Sequence, residues 1–155
     1  MLRGTGNGEV AAVGFTAGFV GAAVVVLTAR LLFAAGIGPA LGVTSPLPLT
    51  APDVYRPLVW GGLWGIPLAF LLRRLTSGHR IVGFLYFLAP VAALFLVFMP
   101  RAGAGFFGLN GGPGIMVNAL LANAPFGIVT TLAIEALGRR PLEQREPALE
   151  RASRI

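Results

Sequence analysis

Two asparagines and three prolines set within apolar runs are the residues of this chain whose types and spacing could make a site: Asn118 and Asn123, with Pro67, Pro90 and Pro125. A proline inside a helix removes a backbone hydrogen bond and kinks the axis. The three prolines are expected at similar depth, and helices interrupted at one depth can frame a midplane cavity, as transporters do. They equally suit plain packing, because membrane helices tolerate proline. An amide in lipid needs a partner. Asn123 has a candidate in a carbonyl freed by Pro125 or in a residue of another helix, and Asn118, five positions away, does not share its face closely.

The ionisable residues point away from acid–base work at depth. Glu9 and Glu135 sit at the cytoplasmic ends of their spans, with Glu135 four residues before Arg139 and able to pair with it. Arg30 and Asp53 belong to the outer side, and Arg30 is expected to snorkel to that interface. No ionisable residue falls at the bilayer centre, where proton-coupled carriers keep their carboxylates. The chain has no Cys and one His, His79, which excludes thiolate chemistry, iron–sulfur ligation and a metal or haem centre built on several histidines. Every basic side chain is Arg, so a lysine Schiff base is excluded as well. His79 lies in a tight inner turn and reads as solvated. The glycine-rich strings RGTGNGE and GLNGGPG have neither a preceding strand nor a Walker lysine, so neither is a nucleotide motif. No catalytic residue, metal site or cofactor is expected.

The elements that must position these residues are membrane helices. Of the 155 residues, 55% are hydrophobic and 12% charged, about half the charge of an ordinary soluble domain, which carries roughly 25%. A span needs about 20 apolar residues. Four runs qualify: 10–35, 57–74, 80–99 and 114–137. The first is longer than the apolar stretch of a signal peptide, so it reads as an uncleaved helix. Pro57 suits the first position of the second helix. The connection Thr76–Arg80 makes a hairpin with the third span, which Pro100 closes. Residues Gly36–Arg56, with Pro39, Pro46, Pro48 and Pro52, read as an outer loop, as do Arg101–Pro113. Gly138 is a plausible helix cap before Arg139, Arg140 and Pro141 end the fourth span. Residues 142–155 form a charged tail, in which Leu142, Leu149 and Ala152 make a weak apolar stripe. The expected fold is all-α: an integral membrane four-helix bundle of two antiparallel hairpins, with Gly/Pro-rich outer loops.

Arginine sets the orientation. Nine arginines (3, 73, 74, 80, 139, 140, 145, 151 and 154) fall on the side of the termini and three (30, 56 and 101) on the other. The positive-inside rule therefore puts both termini in the cytoplasm of a bacterium whose inner membrane holds the chain. Small residues recur at helical spacing: Gly14, Gly18 and Gly21 in the first span, Gly61 and Gly65 in the second. In lipid such residues let backbones approach closely. The seam serves either the packing of the first helix on the second or contact with another protein. Tyr55, Trp60 and Trp64 read as anchors at the outer interface.

The stretch FMPRAGAGFFGLNGG at Phe98–Gly112, followed by an apolar helix with FGIV at Phe126–Val129, resembles small four-helix bacterial membrane proteins of unknown function. The resemblance implies a compact four-helix unit and carries no activity. The expected function is that of a non-catalytic polytopic membrane protein, an accessory subunit or assembly factor of a larger membrane complex. An oligomeric small-solute transporter or channel subunit is the second expectation. Its partners are membrane lipids and either further copies of itself or a larger complex, and not nucleic acid.

Overall fold

The structure, a computed structural model, describes residues 2 and 4–152, with side chains described as far as 139. Among these residues it is helical throughout, without strands: α1 (Asn7–Ala34), α2 (Ile37–Ala40), α3 (Ala51–Arg74), α4 (His79–Tyr86), α5 (Leu88–Ala93), α6 (Met99–Arg101), α7 (Pro113–Asn123) and α8 (Pro125–Ala152). A π-helical turn, Leu94–Phe98, joins α5 to α6, and a 3₁₀ turn, Phe106–Gly111, precedes α7. Three helical stretches are long and apolar enough to cross a membrane: α1, the run His79–Arg101, and the run Pro113–Arg139. The fourth long helix, α3, has 24 residues, but its Gly, Trp and Pro content and its charged ends dilute its apolar character.

The boundaries show which local rules gave way. α3 starts at Ala51, six residues before the expected start, with Pro52 in its first turn and Pro57 inside it. Proline is cheap in a first turn, where the amide hydrogen would have no partner. Thr50 donates its hydroxyl to the Asp53 carboxylate there, and Asp53 favours the positive end of the helix dipole. The presumed loop Gly36–Arg56 therefore holds α2 and the first turns of α3. Gly36 is left-handed (φ 79°), which stops α1. Arg30 does not merely snorkel: its guanidinium donates to the Leu47 carbonyl at 2.6 Å and ties the loop to α1.

Gly138 does not cap the fourth span. It has no positive φ, and α8 runs through it and through Pro141 to Ala152. The physical reason is that Gly138 is occupied in packing: a Cβ there would lie 2.8 Å from Leu2 Cδ2, so its smallness serves contact and not a left-handed turn. The stripe expected at Leu142, Leu149 and Ala152 lies outside the described side chains, as do Arg3 and the charges beyond 139.

α1 is the hub. It lies antiparallel along α3, with Gly14 against Gly65 and Gly18 against Gly61. It also packs on α8, which in turn packs on α4. The core fills the half nearer the start of α1 and the end of α3, the inner half, where Leu2, Val10, Leu68, Leu72 and Ile134 are all at most 1% exposed. Helices α3 and α4 are joined by a short connection, yet they touch only lightly.

Candidate functional site

The inner half of the molecule is closed by small residues. A Cβ on Gly14 would come within 2.7 Å of the Gly65 carbonyl oxygen, and one on Gly18 would overlap the Gly61 carbonyl oxygen and lie 2.8 Å from Gly65 Cα. Gly61 and Gly65 face the carbonyls of Gly18 and Gly14 in return. These four glycines thus meet each other within one chain. Gly21 stands apart from them and faces α8, against Thr130 and the Phe126 ring. Two further close approaches had no spacing signal in the sequence. Gly127 of α8 abuts the Gly83 and Phe84 carbonyls of α4, and Gly62 receives the Phe15 ring.

At the inner end, Glu135 meets Arg80 of α4 at 3.9 Å, not the Arg139 expected one turn along its own helix. The two turns of α8 and α4 face each other there, which brings Arg80 into reach. Arg73 donates to Asn7 Oδ1 at 3.0 Å and joins the inner ends of α3 and α1. His79 is half-buried, with its Nε2 shielded and without a partner among the described residues, so it is less solvated than its position in a short turn implied.

The outer half is different. A pocket of about 310 Å³ opens between α3 and the run His79–Arg101. Its sides are Trp60 and Trp64 of α3 and Pro90, Leu94 and Phe98 opposite. Ala22 and Val25 of α1, with Asn123 and Phe126, form the back, and Arg56 stands at the mouth. Trp60 and Phe98 meet edge to face across the outer part, 5.2 Å between centroids. Behind Trp64, Tyr86 donates its hydroxyl to the Trp64 carbonyl at 2.9 Å. Trp60 and Trp64 therefore turn toward the neighbouring helix, Trp60 against Phe98 and Trp64 against Tyr86.

The helices lose regularity around this pocket. The run His79–Arg101 is interrupted at Phe87, three residues before Pro90, and Leu94 and Phe98 bound the π-helical turn. π-turns are rare in helices and concentrate at functional sites. α7 and α8 meet at Ala124, beside Pro125.

Only two of the five residues considered for a midplane cavity, Pro90 and Asn123, line this pocket. Pro67 lies on the outward face of α3, beside Phe70 and Arg74 in a shallow groove. Pro125 contributes the neighbouring break without lining the space. Asn118 lies under α2, where a Cβ on Gly38 would be 3.5 Å from its Oδ1, and that oxygen has no partner among the described residues. Asn123 donates to the Ala119 carbonyl at 2.8 Å, one turn back on its own helix. It does not take the carbonyl that Pro125 frees, because its side chain points back along the helix, as helical side chains do. Leu94 and Phe98 carried no sequence signal, and Arg56 had counted only toward orientation. Its position one turn before Trp60, on the same face, was the available hint.

Among the described residues no three His, Asp or Glu gather in a group that could hold a metal ion. No protein-family model, curated protein or solved structure matches the chain.

Proposed function

We propose that the chain is a non-catalytic membrane protein of four spans, with α3 as the fourth beside the three more apolar stretches. It resides in a bacterial inner membrane with both termini in the cytoplasm and serves as an accessory subunit or assembly factor of a larger membrane complex. One observation carries this reading. The inner half of the fold is solid, filled by Leu68, Leu72, Ile134 and the glycine crossing, while the outer half presents an open apolar pocket between helices. Such a shape receives something from the bilayer or from a neighbour within it and offers no route through a single chain. Nine arginines against three support the orientation. The counterpart of α3 as a span is its 24-residue length, about 36 Å of helix, and its lengthwise contact with α1.

The test is a native pull-down from membranes in mild detergent, with partners identified by mass. The expected result is stoichiometric recovery of one membrane complex; recovery of the chain alone overturns the subunit reading. The second reading, an oligomeric solute transporter, draws on Pro90, the π-turn and Asn123 at one pocket. Solute flux in proteoliposomes that Asn123→Leu abolishes would favour it.

A further inference from the structure

We infer that the pocket between α3 and the run His79–Arg101 is a site for one anionic phospholipid of the outer leaflet, with an acyl chain between Trp60 and Leu94 and the headgroup phosphate against Arg56. The inference rests on the reading of α3 as a span with its Ala51 end outward.

The first ground is chemical. Trp60, Trp64, Pro90, Leu94, Phe98 and Phe126 give almost all of the lining to carbon. The polar side chain at the back, Asn123, already donates to Ala119. The pocket of about 310 Å³ is at the small end of the range for ligand sites, roughly 300–1,000 Å³. It suits a single chain and not a whole lipid. The pocket is open and lies between two neighbouring helices, where a single acyl chain can enter.

The second ground is charge. Arg56 lies at the mouth and is exposed, and the described ion pair of the molecule, Arg80 with Glu135, is at the opposite end. The nearest carboxylate along α3, Asp53, is engaged by the Thr50 hydroxyl. The other outer arginines are placed otherwise: Arg30 is bonded to the Leu47 carbonyl, and Arg101 lies in the last turn of α6 away from the lining. A guanidinium at the rim of an apolar slot matches an anion carried on a chain, and Arg suits phosphate through its bidentate donors. The depth order agrees, with cation outermost, tryptophan next and aliphatic carbon beneath, which is the order of headgroup, interface and tail.

The experiment is native mass spectrometry of the purified full chain after exchange into mixed micelles. These contain equal phosphatidylglycerol and phosphatidylcholine of matched chains. The wild type is expected to retain one phosphatidylglycerol in preference to phosphatidylcholine. Arg56→Gln should keep an occupied pocket but lower the anionic-to-zwitterionic ratio roughly fivefold, the factor that one arginine contributes at an anionic surface. Leu94→Trp, which fills the slot and leaves Arg56 untouched, should abolish retention of both lipids, and Arg101→Gln should change nothing. Equal retention of the two lipids by the wild type overturns the proposal, as does an Arg101→Gln effect equal to that of Arg56→Gln. So does a Leu94→Trp variant that stays folded by circular dichroism and still holds lipid, or recovery of a partner helix cross-linked through a photoreactive residue at position 94. A recovered partner complex without retained lipid removes the lipid site and leaves the subunit reading standing. Retained lipid without a partner does the reverse.

Discussion

Tyr86 donates its hydroxyl to the carbonyl oxygen of Trp64 at 2.9 Å, and among the described residues this is the side-chain hydrogen bond that fastens α3 to the run His79–Arg101. Above it the two helices separate to form the pocket; below it they are linked by the short turn at Gly78.

Tyr86→Phe should cost little stability but alter the surroundings of Trp64. A hydrogen bond between membrane helices contributes about 0.6 kcal/mol on average. The expected loss is of that size in a reversible SDS-unfolding titration, with the tryptophan emission of Trp64 shifted to the red. A loss of several kcal/mol would mean that the bond holds the helices together by itself.

The glycine crossing should be far less forgiving. Gly18→Val places a side chain against the Gly61 carbonyl, where neither backbone can yield cheaply. Overpacking of this kind costs about 1–3 kcal/mol, sometimes more. Gly8→Val is the control, since nothing lies within 4 Å of a Cβ there. In the same titration the midpoint should fall sharply for Gly18→Val and barely move for Gly8→Val.

Thr130 and Thr131 are fully buried, and their hydroxyl oxygens have no hydrogen-bond partner among the described residues. Each points at a glycine of a neighbouring helix, Gly21 and Gly83 respectively. Replacing an unpaired buried hydroxyl by a methyl removes a desolvation cost of about 1–3 kcal/mol. Thr130→Val and Thr131→Val should leave stability unchanged or raise it. A marked fall in the unfolding midpoint would show that the hydroxyls bond to carbonyls of α8.

Arg80 and Glu135 should contribute weakly. The Arg80 side chain is 71% exposed and the separation is 3.9 Å, a geometry worth roughly 0.2–1 kcal/mol at most. A double-mutant cycle of Arg80→Gln and Glu135→Gln should return a coupling in that range that shrinks with added salt. A salt-independent coupling above it would contradict the exposed geometry.

Topology is open to direct reading. A reporter fused after Ile155 should register as cytoplasmic, and one inserted at Gly105, in the second outer turn, should register as periplasmic. A periplasmic signal after Ile155 would remove α3 or another helix from the count of spans.

The sequence made the apolar stretches legible because lipid demands about 20 uncharged residues in a row, and nothing else in the chain mimics that. It showed Gly14, Gly18, Gly61 and Gly65 because their four-residue spacing puts each pair on one helix face. Isolated glycines gave no such signal: Gly83, Gly127 and Gly62 acquire their meaning from what faces them. Prolines misled most. Pro52 suggested a loop, Pro57 a helix start and Pro141 an ending, because local rules weigh one lost hydrogen bond and not the neighbours that hold the helix. The pocket was hidden for a related reason. It depends on a π-turn at Leu94–Phe98, in a run where no residue differs in kind from those around it.

The central place of α1 also has a meaning in time. α1 is synthesised before any helix it packs on, and the partners of its small-residue surface arrive in sequence. Gly14 and Gly18 are covered once α3 has followed, but Gly21 must wait for Phe126 and Thr130 of α8, the last helix. Until α8 is made, α1 carries one finished seam and one whose partners do not yet exist.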